Sequence, residues 1–335
     1  MTNGDLVATA RDLAETNLFP SANRTDVEGR LPRSSLDAIA AGGFYGLMGP
    51  KSLGGLEADP TTAGLVIEAF AGGCLTSAFI WAQHHVAVRL MSAASSAIAE
   101  LWGPKLCAGD IRAGVAFAHL RREGPSPIVA VPEPNHGWRV TGVANWMTGW
   151  GAVQVINIAA IHNEQVVWFL ADAVEGPTLS AQPLALSAVN SSGTVSIRLT
   201  NHIVSPDRVI AIQQLSDWRT RDRLNLRQNG SYALGLAQRC ATLLGDEGNP
   251  LTLAVDAARN DLDAQATAAN VDGLAAARAS ASWLAVRAAA ALTVHEAGKS
   301  MITDSHAQRL GREAMFLLVQ GQTAPIREAQ KRLLL

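Results

Sequence analysis

The apolar residues of this chain change their spacing twice, and that double switch constrains the fold more than any other feature. Over residues 5–112 they recur at three- and four-residue intervals, as in Leu36, Ile39 and Ala40 or Ile80, Trp81, His84 and Val88. That spacing lines up side chains on one face of an α-helix. Over residues 113–212 the pattern becomes short runs rich in Val, Ile, Thr and Trp, at 137–142, 153–161, 166–170 and 194–199. Turn residues separate the runs every roughly eight to twelve positions, which predicts an antiparallel barrel or sandwich. Beyond Asp217 the helical spacing returns over 224–244, 251–269, 274–297 and 306–319, each stretch long enough for a bundle helix. The expectation is an α+β chain: an N-terminal helical domain (1–112), a central antiparallel β domain (113–215) and a C-terminal helical bundle (216–335).

Composition narrows the function. With 335 residues, 48% of them hydrophobic and 17% charged, the chain should build a large multi-layered core and bury further surface in a homo- or hetero-oligomer. Its net charge is −2 with Lys and Arg scattered, so neither nucleic acid nor an anionic membrane surface is an expected partner. A small-molecule substrate is. Cys74, Cys107 and Cys240 form neither a disulfide framework nor a metal knuckle, which points to a reducing cytoplasm. The N-terminus has no basic stretch leading into an apolar run, and the apolar stretch at 283–294 is broken by Arg287 and too short to span a bilayer.

Several strings match one family in the right order. Tyr45-Gly46-Leu47 followed by Pro50 and Gly54-Gly55-Leu56, then Val66-Ile67-Glu68, and then residues 102–109 resemble loops and helix starts of the first domain of the acyl-CoA dehydrogenase superfamily. Gly137-Trp138 leading to Gly142, then Trp146-Met147-Thr148, resembles that family's hallmark W-x-T turn, and residues 196–210 resemble the close of its β domain.

The resemblance implies FAD and an acyl-CoA thioester. It puts the Trp146 indole near the isoalloxazine and the Thr148 hydroxyl at flavin N5; a flat ring can cover a flavin face and a hydroxyl can donate or accept there. Without the resemblance, both would be packing and turn residues. Phe117, His119 and Gln320 complete the candidate flavin contacts, with His119-Leu120-Arg121 standing where the family carries threonine, glutamate and proline. Gly124-Pro125-Ser126 replaces a family Gly-Ser-Asp that helps bind the thioester.

The family's two base positions fall on Gln320 and Asn225. Both are amides, which accept no proton at neutral pH; a one-turn slip would bring Asp222 or Glu313 into the site instead. Residues 245–250 replace an arginine-bearing string that reaches flavin pyrophosphate, and a glycine-rich loop is shortened to Ala297-Gly298-Lys299. Arg309 or Arg312 is a phosphate candidate, against the blander expectation of an Arg309–Glu313 ion pair on a solvated face. His84 and His85 are adjacent on a helix and cannot share one face, so they are expected to pack rather than bind metal.

The function implied is flavin-dependent α,β-dehydrogenation of an acyl-CoA thioester with an atypical or partner-supplied base. Two alternatives share the scaffold: a flavin-dependent monooxygenase, and a non-catalytic subunit of a hetero-oligomeric acyl-CoA dehydrogenase.

Overall fold

The computed structural model describes residues 2–134 and 137–334. Six helices come first: α1 (Asn3–Leu13), α2 (Phe19–Glu28), α3 (Arg33–Ala41), α4 (Pro60–Gly73), α5 (Leu75–Leu90) and α6 (Ser96–Ala108). Eight strands follow: β1 (Ala113–Ala116), β2 (Ile128–Glu133), β3 (Gly137–Met147), β4 (Val155–His162), β5 (Gln165–Asp172), β6 (Leu179–Pro183), β7 (Val195–Val204) and β8 (Val209–Gln214). The remainder is helical: α7 (Leu215–Leu224), α8 (Leu226–Leu243), α9 (Asn249–Thr267), α10 (Val271–Glu296), α11 (His306–Val319) and α12 (Ala324–Leu334).

The strands form one sheet in the order β6-β7-β3-β2-β4-β5-β8, with β1 on β4. It is mostly antiparallel, but β4 pairs parallel to both β1 and β2, which the expected all-antiparallel arrangement did not include. β4 and β5 read as nearly unbroken apolar runs because both sheet faces are covered. Ile156, Ile158 and Ala160 enter the main core, while Val155 and Ala159 enter a second core with Trp102, Leu106 and Val88.

Close backbone contact joins the helical halves. A Cβ on Gly235 of α8 would lie 2.2 Å from the Glu68 carbonyl oxygen of α4, so only glycine permits this crossing. The Glu68 carboxylate then meets Arg259 of α9 at 2.9 Å and Arg227 of α8 at 3.7 Å. α10 packs against α8, α9, α11 and α12, and its alanines let the axes approach. These contacts fix the N-terminal end of α8 and the α11–α12 corner relative to the sheet, and the candidate site lies between them.

Candidate active site

A cavity of about 1380 Å3 opens where helices and sheet meet, walled by α5, the turn after β1, the end of β3, the start of α8 and the α11–α12 corner. Small-molecule pockets commonly hold ~300–1,000 Å3. This one has room for two ligands side by side.

The sheet-side wall depends on a defect in β3. Its register against β7 slips between Ala144 and Met147, and Trp146 sits at φ +69°. A bulge adds one residue and turns a side chain that regular alternation would bury. Trp146 therefore stays 53% exposed and lines the cavity, while Met147 is buried behind it. A left-handed conformation at a bulky residue costs on the order of 1–3 kcal/mol, and such strain concentrates at functional positions. Gly142, at the other irregularity of β3, admits no side chain at all: a Cβ there would lie 1.9 Å from the Pro127 carbonyl oxygen.

Thr148 is buried at the cavity wall, its Oγ1 3.1 Å from Thr194 Oγ1, which lies 2.7 Å from Ser192 Oγ. This relay of hydroxyls lets Thr148 donate or accept toward the cavity, because its partners can rotate to compensate. Phe117 also lines the wall, its ring edge-on to Trp218 and covered by the Arg121 guanidinium. His119 does not. It lies in a 3-10 turn rather than ending a strand, buried with Nε2 3.0 Å from the Ala159 carbonyl oxygen. Burial pulls its pKa down to about 4, so it is a neutral core histidine turned from the cavity.

On the opposite wall are both amides. Asn225 lies at the joint of α7 and α8, and Gln320 ends α11. Arg278 of α10 holds the second: its Nη2 donates to the Leu317 carbonyl at 3.2 Å and to the Gln320 carbonyl and Oε1, each at 3.4 Å. Arg278 is buried, has no carboxylate partner among the described residues, and is pulled by burial to a pKa of about 10.

Two carboxylates line the cavity among the described residues, Asp222 and the exposed Glu123. Both Asp222 oxygens are taken by Arg121, from Nε at 2.6 Å and Nη2 at 2.8 Å. Glu313 does not reach the cavity. Its pair with Arg309 forms as the helical spacing predicts, but deep inside rather than on a solvated face, each side chain 2% exposed and Nη1 at 2.8 and 3.0 Å from the two oxygens. Arg312 lines the cavity with its guanidinium engaged by Asp26 and by the Ser187 carbonyl. His84 and His85 are core groups: His84 accepts from the Ala113 amide and donates to the Leu106 carbonyl, each at 3.0 Å.

The residues present fit a flavin ring: a flat indole released from the strand, a hydroxyl with adjustable partners, and volume for a second ligand beside it. The pyrophosphate end is poorer. Residues 245–248 form an acidic 3-10 turn outside the cavity lining.

Sequence reasoning missed three wall residues. Arg89 of α5, Tyr232 of α8 and Thr194 all line the cavity. Arg89 carried a signal, as the single Asp, Glu, Lys or Arg in the apolar run Leu75–Leu90; Thr194 and Tyr232 carried none.

Helices, a sheet and a second helical bundle around one large cavity define an α+β scaffold built to enclose ligands. Residues 3–110 match the family model for the acyl-CoA dehydrogenase N-terminal domain. A 3-sulfinopropanoyl-CoA desulfinase of Variovorax paradoxus is 29% identical over 167 residues, 45% of this chain and 39% of that protein. The human mitochondrial short-chain specific acyl-CoA dehydrogenase is 24% identical over 281 residues, 75% of this chain and 65% of that enzyme. The match thus spans less than two thirds of either relative. Among solved structures, a glutaryl-coenzyme A dehydrogenase in complex with glutaryl-CoA superposes with a TM-score of 0.85 at 19% identity, covering 97% of this chain and 93% of that one. PigA with FAD and proline superposes at 0.83 and 16% identity, covering 99% and 97%. Residues 3–110 thus carry the acyl-CoA dehydrogenase N-terminal domain, and the chain as a whole has the acyl-CoA dehydrogenase fold.

Proposed function

We propose that this protein is an FAD-dependent oxidoreductase acting on an acyl-CoA thioester without a carboxylate at either usual base position. The observation that carries the reading is the pair of opposed walls: Trp146, Thr148 and Phe117 on the sheet side, Asn225 and Gln320 facing them. FAD bound against Trp146 would supply a hydride acceptor. The protein's part is to cover the flavin, hold Thr148 where a proton can be exchanged, and close off water with Phe117 and Tyr232.

Removal of an α-proton needs an acceptor within reach. Asp222, one turn before Asn225, is the buried carboxylate at this wall among the described residues, and Arg121 occupies both its oxygens. The base is therefore Asp222 released from Arg121 on substrate binding, or a group brought by a second subunit. Exposed Met301, Met315 and Val319 at the cavity rim support such a subunit. Three free, buried cysteines are consistent with a reducing, cytoplasmic setting. Among the described residues no helix is long and apolar enough to cross a membrane.

A second reading follows from the amides themselves. The relative named a desulfinase acts, by its name, on a thioester carrying a sulfinate, and breaking a carbon–sulfur bond need not begin by removing an α-proton. The test is an anaerobic titration of the FAD-loaded protein with acyl-CoA thioesters. Bleaching of the flavin band supports dehydrogenation; tight binding without bleaching, with loss of an acid group from the thioester, supports cleavage. Failure to retain FAD after loading and gel filtration would remove both.

A further inference from the structure

A guanidinium without a carboxylate partner among the described residues lies at the amide wall. Arg89 sits in the last turn of α5 with its side chain on the cavity. Nη1 donates to Asn225 Oδ1 at 3.4 Å and Gln228 Oε1 at 3.3 Å, both long for a guanidinium. Nε and Nη2 meet no protein acceptor among the described residues, and no carboxylate oxygen lies within 4 Å of the group. The enclosure is close enough to pull its pKa below the ordinary arginine range, while Asp222 acts on it only at a distance. Asp222 is already taken by Arg121, and Arg278 behind Gln320 has no carboxylate either. Arg89, Arg121 and, behind Gln320, Arg278 thus stand at the amide wall, where Asp222 is the one buried carboxylate among the described cavity-lining residues. Arg89 is half-buried; a cation held largely out of water without a counter-ion is costly to a fold, and its persistence at a cavity is explained when the ligand completes the pair.

We infer that Arg89 is the recognition site for a distal acid group on the acyl chain, so that the preferred ligand is a short acyl-CoA carrying a second oxyanion, carboxylate or sulfinate. This rests on the thioester reading above and narrows its substrate class. A guanidinium with two free donors suits an oxyanion because two parallel N–H groups meet two oxygens. The contact with Asn225 puts the acid group beside the amide wall. A neutral chain of equal length would leave Arg89 desolvated and unpaired, which is how a site rejects a ligand lacking a polar group.

The experiment is calorimetric binding to FAD-loaded protein. Glutaryl-CoA, succinyl-CoA and 3-sulfinopropanoyl-CoA are compared with pentanoyl-CoA and butyryl-CoA, in wild type and in Arg89→Met. The acid-bearing thioesters should bind about ten- to a hundredfold tighter than neutral chains in wild type, as expected of a charge-assisted contact. Arg89→Met should erase that difference, weakening the acid-bearing thioesters and tightening the neutral chains whose rejection it relieves. The carboxylate and sulfinate arms then show which oxyanion the site prefers. Equal affinity of acid and neutral chains in wild type overturns the inference, as does a preference that survives in Arg89→Met. If no thioester binds while FAD is retained, the thioester reading itself falls, a result distinct from binding without acid preference. The wild-type comparison needs no variant, and Arg89→Gln, which keeps a donor toward Asn225, gives the same readout should the methionine variant not fold.

Discussion

Gln320→Glu puts a carboxylate where the resemblance implies the family's base, and its neighbours decide what that group would do. The new carboxylate would stand 3.4 Å from Arg278 Nη2, the distance at which Gln320 Oε1 now sits. At an effective dielectric near 20 that separation gives about 4–5 kcal/mol of attraction. Burying a new carboxylate costs several kcal/mol, but wild type already carries the desolvation of Arg278, so a net gain on the order of 1–3 kcal/mol remains. The neighbouring guanidinium should hold the introduced carboxyl group about one to three pKa units below its unfolded value. The sign follows: with the folded pKa depressed, the gain is full above the unfolded pKa near ~4.3 and is lost as pH falls through the folded value. Thermal melts should show Tm raised by a few degrees at pH 7, with the increment vanishing in acid. A carboxylate so paired is a poor proton acceptor. Deuterium wash-in at the α-carbon of a bound thioester should be slow in Gln320→Glu and about tenfold or more faster in the double variant that adds Arg278→Gln, which removes the guanidinium charge. Equal exchange in the two variants, or no stability gain at pH 7, would refute the placement of Arg278 as the group that holds residue 320.

Further outcomes follow from other parts of the molecule. Glu313→Gln leaves Arg309 buried and unpaired, and urea denaturation should show a loss of about 3–5 kcal/mol with the cavity walls unaltered. Trp146→Gly relieves the left-handed strain of the bulge, so melts of flavin-free protein should show unchanged or higher Tm while gel filtration shows FAD lost. Burial holds His84 at a pKa of about 3 and His119 at about 4, from 6.5 for an unburied histidine. The unfolded chain therefore binds more protons below pH ~6.5, and stability should fall steadily from there toward pH 4; His119→Asn should flatten part of that slope in chemical-denaturation curves taken across pH, and an unchanged slope would contradict the neutral, buried assignment.

Much of the fold was legible because period alone separates helix from strand over long stretches. The run at 306–319 matches α11, and the runs at 224–244 and 251–269 fall within two residues of α8 and α9 at each end. The sheet was harder. Alternation says which residues share a face and nothing about which strands become neighbours, so the parallel pairs of β4 with β1 and β2 were not visible. His119 was misplaced for a local reason: β1 stops at Ala116 and the chain turns through a 3-10 helix, which points the imidazole at β4 instead of the cavity.

The site divides along the same line. Trp146 and Thr148 were legible because one short, contiguous string creates them, the bulge being a local property of β3. The amide wall is assembled from α5, α8, α10 and the end of α11, segments whose proximity depends on helix crossings such as the Gly235–Glu68 contact. Sequence counting could put Asn225 and Gln320 at the base positions, but it could not show what stands behind them. Arg278 reads as one of four charges in an alanine-rich helix and Arg89 as the single charge in an apolar one. Each becomes informative through what it lacks: a buried guanidinium normally has a carboxylate near it, and here the amides occupy the places where acids would have neutralised both. On the placement the resemblance implies, amides at the base positions and uncompensated arginines behind them are a single feature of the charge of one wall. On the reading proposed above, that wall serves as an anion receptor rather than a proton acceptor.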